Sequence, residues 1–224
     1  MRELLEGVAA GEMSVAEAEA ELAGYATGDA GRYDAAREHR RGIPEAILAD
    51  GKTDDEVAEL AATAVETTGR ALVTRIDDAA AAAVADRLDT ATVEHHERAG
   101  VLVAHAPEFA VPSLAATVTV VTAGTSDAGP AGEAEVVADE MGATVDRVDD
   151  VGVASLARTV DALDDIRDSD VVIVAAGREG ALPTVVAGLV DAPVIGLPIS
   201  TGYGYGGEGM AALPGMLQSC TVLS

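Results

Sequence analysis

A β-branched run, a small polar turn and a helical pattern follow one another at residues 118–142, and this stretch constrains the fold most strongly. Residues 118–122 read VTVVT, a composition that favours a buried strand. The turn AGTSD at 123–127 follows at once, and apolar residues then recur at helical spacing as far as Met141. Strand, turn and helix in this order open a parallel α/β sheet, whose ligands collect at the carboxyl ends of the strands. We therefore expect a functional site around the 123–127 turn.

Strand and helix patterns keep alternating along the rest of the chain. In chain order they predict a strand at 144–148, a helix at 155–165, a strand at 171–175, a helix at 182–190 and a strand at 194–198. This alternation predicts an α/β fold, a three-layer doubly wound parallel sheet. We interpret residues 117–224 as this domain, residues 69–116 as a small α/β segment, and residues 1–68 as an N-terminal helical region that carries a basic motif.

The charge of the chain excludes some classes of function. Lys and Arg total 14 against 39 Asp and Glu, which gives a formal net charge of -25. Nucleic-acid binding is not expected, because it requires Lys and Arg to neutralise phosphates. Lys52 is the only lysine, and such an acidic balance is typical of halophilic proteins, which stay soluble through charge and hydration.

The cysteine count and the hydropathy of the chain indicate the cellular compartment in which we expect the protein. Cys220 is the one cysteine, which fits a reducing cytoplasm. No apolar run approaches the roughly 20 residues of a membrane span. We expect a cytoplasmic protein that binds no membrane.

Several of the few basic residues lie in one segment of the N-terminal region. They are Arg32, Arg37, Arg40, Arg41 and Lys52. Positive charge kept against an acidic background favours a bound anion, either phosphate or carboxylate. Ion pairing on a helix surface with Asp34 and Glu38 explains the same residues equally well.

Two carboxylates and one thiol are the candidates for chemistry. Asp127 and Glu179 each follow a predicted buried strand of the same sheet, so both should reach one crevice, where a carboxylate can act as acid or base. Either carboxylate could instead only cap a helix, and this is the default interpretation of Asp127 when it is considered without Glu179. Cys220 follows a Gly-rich stretch at 202–209 that is suited to cover a ligand, and it is either a nucleophile or inert packing.

Motifs distributed along the chain resemble those of a known family. The AGTSD turn, together with Leu182-Pro183 and the segment 193–198, resembles the phosphoribosylaminoimidazole carboxylase (PurE) family. The chain is more similar still to the related LarB family. Further matching motifs are Arg41-Gly42-Ile43-Pro44-Glu45, Gly51-Lys52-Thr53, Glu179-Gly180-Ala181-Leu182-Pro183, Gly202-Tyr203-Gly204 and Leu217-Gln218-Ser219-Cys220.

The resemblance implies a reaction. PurE enzymes carry a histidine before the Leu-Pro pair, where this chain has Ala181, whereas the LarB family is implied to use a cysteine, matched by Cys220. The implied activity is carboxylation and hydrolysis of nicotinic acid adenine dinucleotide, which gives pyridinium-3,5-biscarboxylic acid mononucleotide and AMP in nickel-pincer nucleotide biosynthesis. A PurE-like aminoimidazole ribonucleotide carboxylase and a non-catalytic nucleotide-binding protein are the alternatives.

The resemblance also implies partners and roles for individual residues. CO2 or bicarbonate is the co-substrate, no tightly bound cofactor is expected, Mg²⁺ remains a candidate ion, and a homo-oligomer, an octamer, is implied. Cys220 is the expected nucleophile and Asp127 or Glu179 the base. Residues expected to bind substrate carboxylate, CO2 or phosphate are Ser126, Thr125, Gly124, Gly180, Gly202, Tyr203, Arg32, Arg37, Arg40 and Lys52. The family pattern continues past its cysteine with another strand and a Gly-rich segment. We therefore expect that this sequence is either truncated or divergent at its C-terminus.

Overall fold

The chain forms two units, residues 1–110 and 111–224. The structure is a computed structural model, and it describes residues 2–202 and 204–223 apart from the side chains of Glu3, Glu17 and Glu21. Each unit has its own sheet and its own core.

The first unit contains a four-stranded mixed sheet, a short hairpin and five helices among the residues described. In chain order its elements are α1 (Arg2–Ala10), α2 (Val15–Ala23), β1 (Ala26–Gly28), β2 (Gly31–Tyr33), α3 (Arg37–Arg41), β3 (Ala46–Leu48), α4 (Asp54–Thr68), β4 (Arg70–Thr74), α5 (Asp78–Arg87), β5 (Thr92–His96) and β6 (Val101–His105). The hairpin pairs β1 with β2, and the sheet has the order β3-β4-β6-β5. The β3–β4 pairing is parallel, whereas β6 runs antiparallel to both of its neighbours.

Helix α4 shows how the local sequence determines where a helix of this unit begins and which of its residues are buried. Thr53 caps it: the Thr53 hydroxyl accepts from the Glu56 N–H, and the Glu56 carboxylate accepts from the Thr53 N–H at 2.8 Å. Small apolar residues such as Ala61 and Ala64 then pack fully buried against the core, together with Val84 of α5. The helix therefore begins at its Thr53 cap and buries one face.

The boundary of this unit differs from the division expected at residues 68 and 69. Ala46, Ile47 and Leu48 of β3 pair in parallel register with β4, so the first predicted region and the small α/β segment share one sheet. Parallel pairing across a helical crossover is invisible in the local pattern of either segment. The chain instead divides into its two units between residues 110 and 111.

The second unit is a parallel α/β sheet. Its elements are β7 (Thr117–Thr122), α6 (Ala128–Glu140), β8 (Thr144–Val148), α7 (Leu156–Asp161), α8 (Leu163–Arg167), β9 (Val171–Ala176), α9 (Ala181–Ala187), β10 (Val194–Pro198) and α10 (Ala212–Leu217). The strand order is β10-β9-β7-β8, and every pairing is parallel. This confirms the predicted three-layer parallel fold.

Both faces of the second sheet are covered, so the inner strands β7 and β9 are rich in buried apolar residues, whereas the edge strand β8 is partly exposed. On one face Val121, Val172 and Val174 pack with Ile166 and Met216. On the other face the buried residues are Val120, Ala131, Ala175 and Ile199. The helix predicted at 155–165 is replaced by a 3-10 turn at Val153–Ser155 and the two short helices α7 and α8. No helix in the described ranges combines the length and apolar character needed to cross a membrane.

Candidate active site

A cavity of about 990 Å³ opens at the carboxyl ends of β7 and β9, where the doubly wound fold predicts ligands. Its walls come from the turns after β7, β8, β9 and β10. The lining residues are Ala123, Gly124, Ser126, Asp127, Gly152, Val153, Ala154, Arg158, Ala176, Gly177, Arg178, Glu179, Ala181, Leu182, Thr201 and Gly202. The second unit thus brings Gly124, Ser126, Asp127, Glu179 and Gly202, all predicted from the sequence, to one crevice.

Asp127 is the buried carboxyl group of this cavity, with 4% of its surface exposed. Its Oδ2 accepts a hydrogen bond from the Gly124 N–H at 2.9 Å, and its Oδ1 accepts a long one from the Ser126 hydroxyl at 3.4 Å. Burial raises the pKa of Asp127, although these hydrogen bonds act in the opposite direction. The side chain does not cap α6. A carboxyl group with a raised pKa accepts a proton more readily than an ordinary aspartate, which is a property of acid–base groups at functional sites.

Glu179 faces the same cavity from the turn that follows β9. Its side chain is 61% exposed, and its Oε2 lies 4.0 Å from Nε of Arg178. Gly180, which follows, has φ 66°, and a Cβ there would lie 2.8 Å from the carbonyl oxygen of Ala212. The left-handed glycine therefore fixes the turn that presents Glu179.

Glycines let the cavity-forming loops touch backbone to backbone. A Cβ on Gly152 would lie 2.5 Å from the carbonyl oxygen of Ala123, and one on Gly177 would lie 2.5 Å from that of Thr201. Neither contact leaves room for a side chain. The loop after β8 is thereby held against the end of β7, and the loop after β9 against the end of β10.

Two guanidinium groups line the cavity alongside the two carboxylates. Arg178 belongs to the turn after β9, and Arg158 lies on α7. Arg158 forms an ion pair with Asp150 at 2.9 Å. The cavity can therefore receive a ligand with several negative charges, since arginine binds phosphate and carboxylate through its planar set of N–H donors.

Cys220 is not brought to this cavity within the chain described. It is exposed and follows α10, and neighbouring Ser219 accepts a hydrogen bond from the Thr184 hydroxyl of α9 at 3.0 Å. Helix α10 begins beside Gly180 at the carboxyl edge of the sheet and runs back along it. The chain then places Leu223 beside Ile195, near the start of β10. This direction carries the thiol away from Asp127 and Glu179.

The predicted cationic residues lie in the first unit, where three of them already have partners. Arg40 forms an ion pair with Asp34 at 2.6 Å, and Lys52 donates to the Leu48 carbonyl oxygen at 2.6 Å. The guanidinium of Arg32 lies 5.1 Å from the centre of the Tyr25 ring. Arg37 begins α3. The surface ion-pairing interpretation thus applies to Arg40, and an anion-binding role for this segment stays a prediction.

The remaining predicted positions divide as follows. Thr125 and Gly180 adjoin lining residues but do not line the cavity themselves, and Tyr203 is outside the described residues. Within the residues described, no group of three or more His, Cys, Asp and Glu side chains is arranged to hold a metal ion. We therefore assign no ligands to Mg²⁺.

Arg158, Arg178 and Gly152 belong to the site, and sequence reasoning missed all three. Arg178 directly precedes the predicted Glu179, and a cation at this position in an acidic chain was a usable signal. Arg158 gave no comparable signal, because its orientation depends on the position of α7, which follows directly after the 3-10 turn.

Comparisons with known proteins agree with this architecture. Residues 25–106 match the family described as LarB/PurE-like N-terminal domain, and residues 117–224 match the family described as AIR carboxylase. A protein of Methanocaldococcus jannaschii, named as uncharacterized, is 36% identical over 195 residues, which are 85% of this chain and 75% of that protein. This chain belongs to the LarB-like PurE family. Membership in the LarB-like PurE family accounts for the parallel sheet of the second unit and makes carboxylase-related chemistry relevant to its cavity.

Proposed function

We propose that this protein carboxylates C5 of the pyridinium ring of nicotinic acid adenine dinucleotide with CO2 and hydrolyses the phosphoanhydride. The products would be pyridinium-3,5-biscarboxylic acid mononucleotide and AMP. One observation carries the choice among carboxylases of this family. Ala181, at the position of the PurE histidine, lines a cavity that retains Asp127 and Glu179. The cavity thus has carboxylates for proton transfer, but it has a methyl group where aminoimidazole carboxylation would require an acid.

The proposed chemistry needs a nucleophile because a pyridinium ring is too electron-poor to attack CO2. Addition of the Cys220 thiolate at C4 moves an electron pair toward the ring nitrogen and leaves an enamine whose nucleophilic carbon is C5. That carbon attacks CO2 and forms the new C–C bond. C5 then carries both a hydrogen and the new carboxylate.

A base must next remove the C5 proton. The electron pair of the C5–H bond restores the ring double bond, and departure of the thiolate from C4 then restores the pyridinium. Asp127 and Glu179 are the carboxylates that line the cavity, and the raised pKa of Asp127 makes it a stronger base than an ordinary aspartate. Ser126 and the backbone of the turn after β7 are proposed to hold a substrate carboxylate or CO2.

The position of Cys220 sets a condition on this mechanism. The thiol lies outside the cavity that contains both carboxylates, so bond formation at C4 requires a rearrangement after α10 or a thiol from a second copy. A homo-oligomer, proposed here from the family resemblance, would allow the second route.

The test is mass spectrometry of the purified protein incubated with nicotinic acid adenine dinucleotide and ¹³C-bicarbonate in high salt. We expect AMP and a mononucleotide that carries one ¹³C carboxylate. Cys220→Ser is a clean comparison, because it removes the only thiol of the chain. Label incorporation at the wild-type rate by this variant would exclude the thiolate mechanism.

Two other results would replace the proposal. Carboxylation of aminoimidazole ribonucleotide, with the dinucleotide untouched, would point to PurE-like chemistry. Tight dinucleotide binding without any product would point to a binding protein.

A further inference from the structure

Asp150 adopts a backbone conformation that is uncommon for residues other than glycine. It lies in the loop after β8 with φ 60°, in the left-handed region that favours glycine. A non-glycine residue held in this region costs conformational free energy, and such residues cluster at functional sites. The side chain of Asp150 is therefore expected to have a role that outweighs the cost.

The backbone of Asp150 is anchored to the central strand. Its N–H donates to the hydroxyl oxygen of Thr122 at 3.2 Å, and the same hydroxyl donates to Oδ1 of Asp149 at 2.8 Å. Thr122 is completely buried at the end of β7. The loop is thus held at the edge of the sheet that opens into the cavity.

The side chain of Asp150 holds Arg158. Oδ1 of Asp150 lies 2.9 Å from Nη1 of Arg158, and the two side chains are 54% and 42% exposed. An ion pair this exposed contributes little to folding stability. Stability alone therefore does not explain why an aspartate occupies this position.

Arg158 lies between two cavities. It lines the 990 Å³ cavity, and it also lines a neighbouring cavity of about 510 Å³, whose wall contains Asp150, Asp161 and Asp165. Asp150 lines only the second cavity. The ion pair with Arg158 is therefore made by a carboxylate that does not line the cavity of Asp127 and Glu179. A guanidinium has five N–H donors, so this ion pair leaves others for a ligand.

We propose that Asp150 is a positioning residue that orients Arg158 to bind a phosphate group of the substrate in the cavity. The inference rests on the proposed function for the identity of the phosphate, which would be that of the dinucleotide. The sequence suggested an anion-binding role for basic residues of the first unit. The present inference gives that role to Arg158, which belongs to the same unit as the cavity.

The experiment measures two quantities on the full chain at one fixed salt concentration. Titration calorimetry gives the dissociation constant for inorganic pyrophosphate, and steady-state kinetics with nicotinic acid adenine dinucleotide give kcat and KM. The variants are Asp150→Asn, Asp150→Gly, Arg158→Lys and the double variant Asp150→Asn with Arg158→Lys. Arg75→Gly is the matched control, because Arg75 has φ 54° and belongs to the first unit.

We expect Asp150→Asn and Asp150→Gly to weaken pyrophosphate binding and to raise KM roughly ten- to a hundredfold, with kcat nearly unchanged. Asp150→Gly should keep or raise the thermal midpoint, because glycine adopts this backbone without strain. Arg75→Gly should share that effect on stability and leave KM unchanged. The double variant should bind no more weakly than Arg158→Lys alone, since both changes disable one guanidinium.

The outcomes separate this inference from the proposed function. Wild-type affinity and KM in both Asp150 variants, or no pyrophosphate binding by the wild-type protein, would overturn the positioning role. If the dinucleotide is never turned over but pyrophosphate binding still depends on Asp150, the proposed reaction fails and the positioning role stands.

Discussion

The backbone N–H of Gly124 lies 2.9 Å from Oδ2 of Asp127, so the turn after the central strand itself holds the buried carboxyl group of the cavity. The bond favours the charged form, yet burial dominates and raises the pKa. Burial and hydrogen bonding therefore act in opposite directions on the pKa of Asp127.

Replacing Asp127 by Asn should change how stability depends on pH. Because the pKa is raised in the folded state, the folded chain binds this proton more tightly than the unfolded chain. The resulting stability is present at low pH and is lost as pH rises from the unfolded pKa through the folded pKa. Urea denaturation of the variant and the wild type, from about pH 4 to pH 7, should show the variant gaining relative stability with pH. A difference that does not vary with pH would contradict this assignment.

Comparison of Asp127→Asn with Glu179→Gln should identify the base. The variant that lacks the base is expected to lose roughly 10²- to 10⁴-fold in kcat, because an amide cannot accept the C5 proton. The other should lose much less. Asp191→Asn, which changes an exposed carboxylate in the same unit, is the control and should keep wild-type turnover. Wild-type kcat in both cavity variants would remove these carboxylates from the mechanism.

Mixing inactive variants tests where the thiol comes from. Cys220→Ser and Asp127→Asn should each be inactive alone if both groups act in one reaction. If a second copy supplies the thiol, co-refolded mixtures should recover up to about a quarter of wild-type activity per site, the statistical share of sites with both groups intact for random pairing. Recovery that never exceeds the sum of the separate variants would favour a rearrangement within one chain. The readout is product formation against the mixing ratio.

Gly152→Ala should destabilise the second unit. The added Cβ would lie 2.5 Å from the carbonyl oxygen of Ala123, so the backbone must shift at a cost of about 1–3 kcal/mol. Gly188→Ala is the matched control, because its φ is -81° and a Cβ there would make an ordinary 3.5 Å contact. Chemical denaturation gives both values, and equal stability of the two variants would refute the packing argument.

Salt should stabilise the fold. The formal net charge of -25 on 224 residues means that the acidic side chains repel one another, and added KCl screens that repulsion. We expect the thermal midpoint to rise steadily between dilute buffer and molar KCl. A midpoint that does not change with salt would remove the halophilic interpretation.

The sequence predicts the second unit well because its signals are local. The apolar runs of β7 and β9 are largely buried. The rule that ligands meet the carboxyl ends of strands is then enough to bring Asp127 and Glu179 together. The placement of Cys220 was not predictable in this way. It depends on the direction in which α10 runs from Gly180, and that direction is a property of tertiary packing.

Similar limits apply to the first unit. The strand β6 is antiparallel to β4, and β3 joins the same sheet across α4, so no single segment reveals the mixed sheet. The partner of Glu38 was likewise unexpected. It is the almost completely buried Arg70, thirty-two positions away in the chain, rather than a helical neighbour.

The close approaches at Gly152, Gly177 and Gly180 bear on how this site could be re-engineered. At these glycines main chain packs directly against main chain, and no change of a side chain elsewhere alters those contacts. Val153, Ala154 and Ala181 also line the cavity, and each carries a side chain that can be changed. A combinatorial library that keeps the glycines constant and randomises these three positions would sample new pocket shapes on an unchanged frame. In such a scaffold, selection for new substrates and selection for folding act on separate residues.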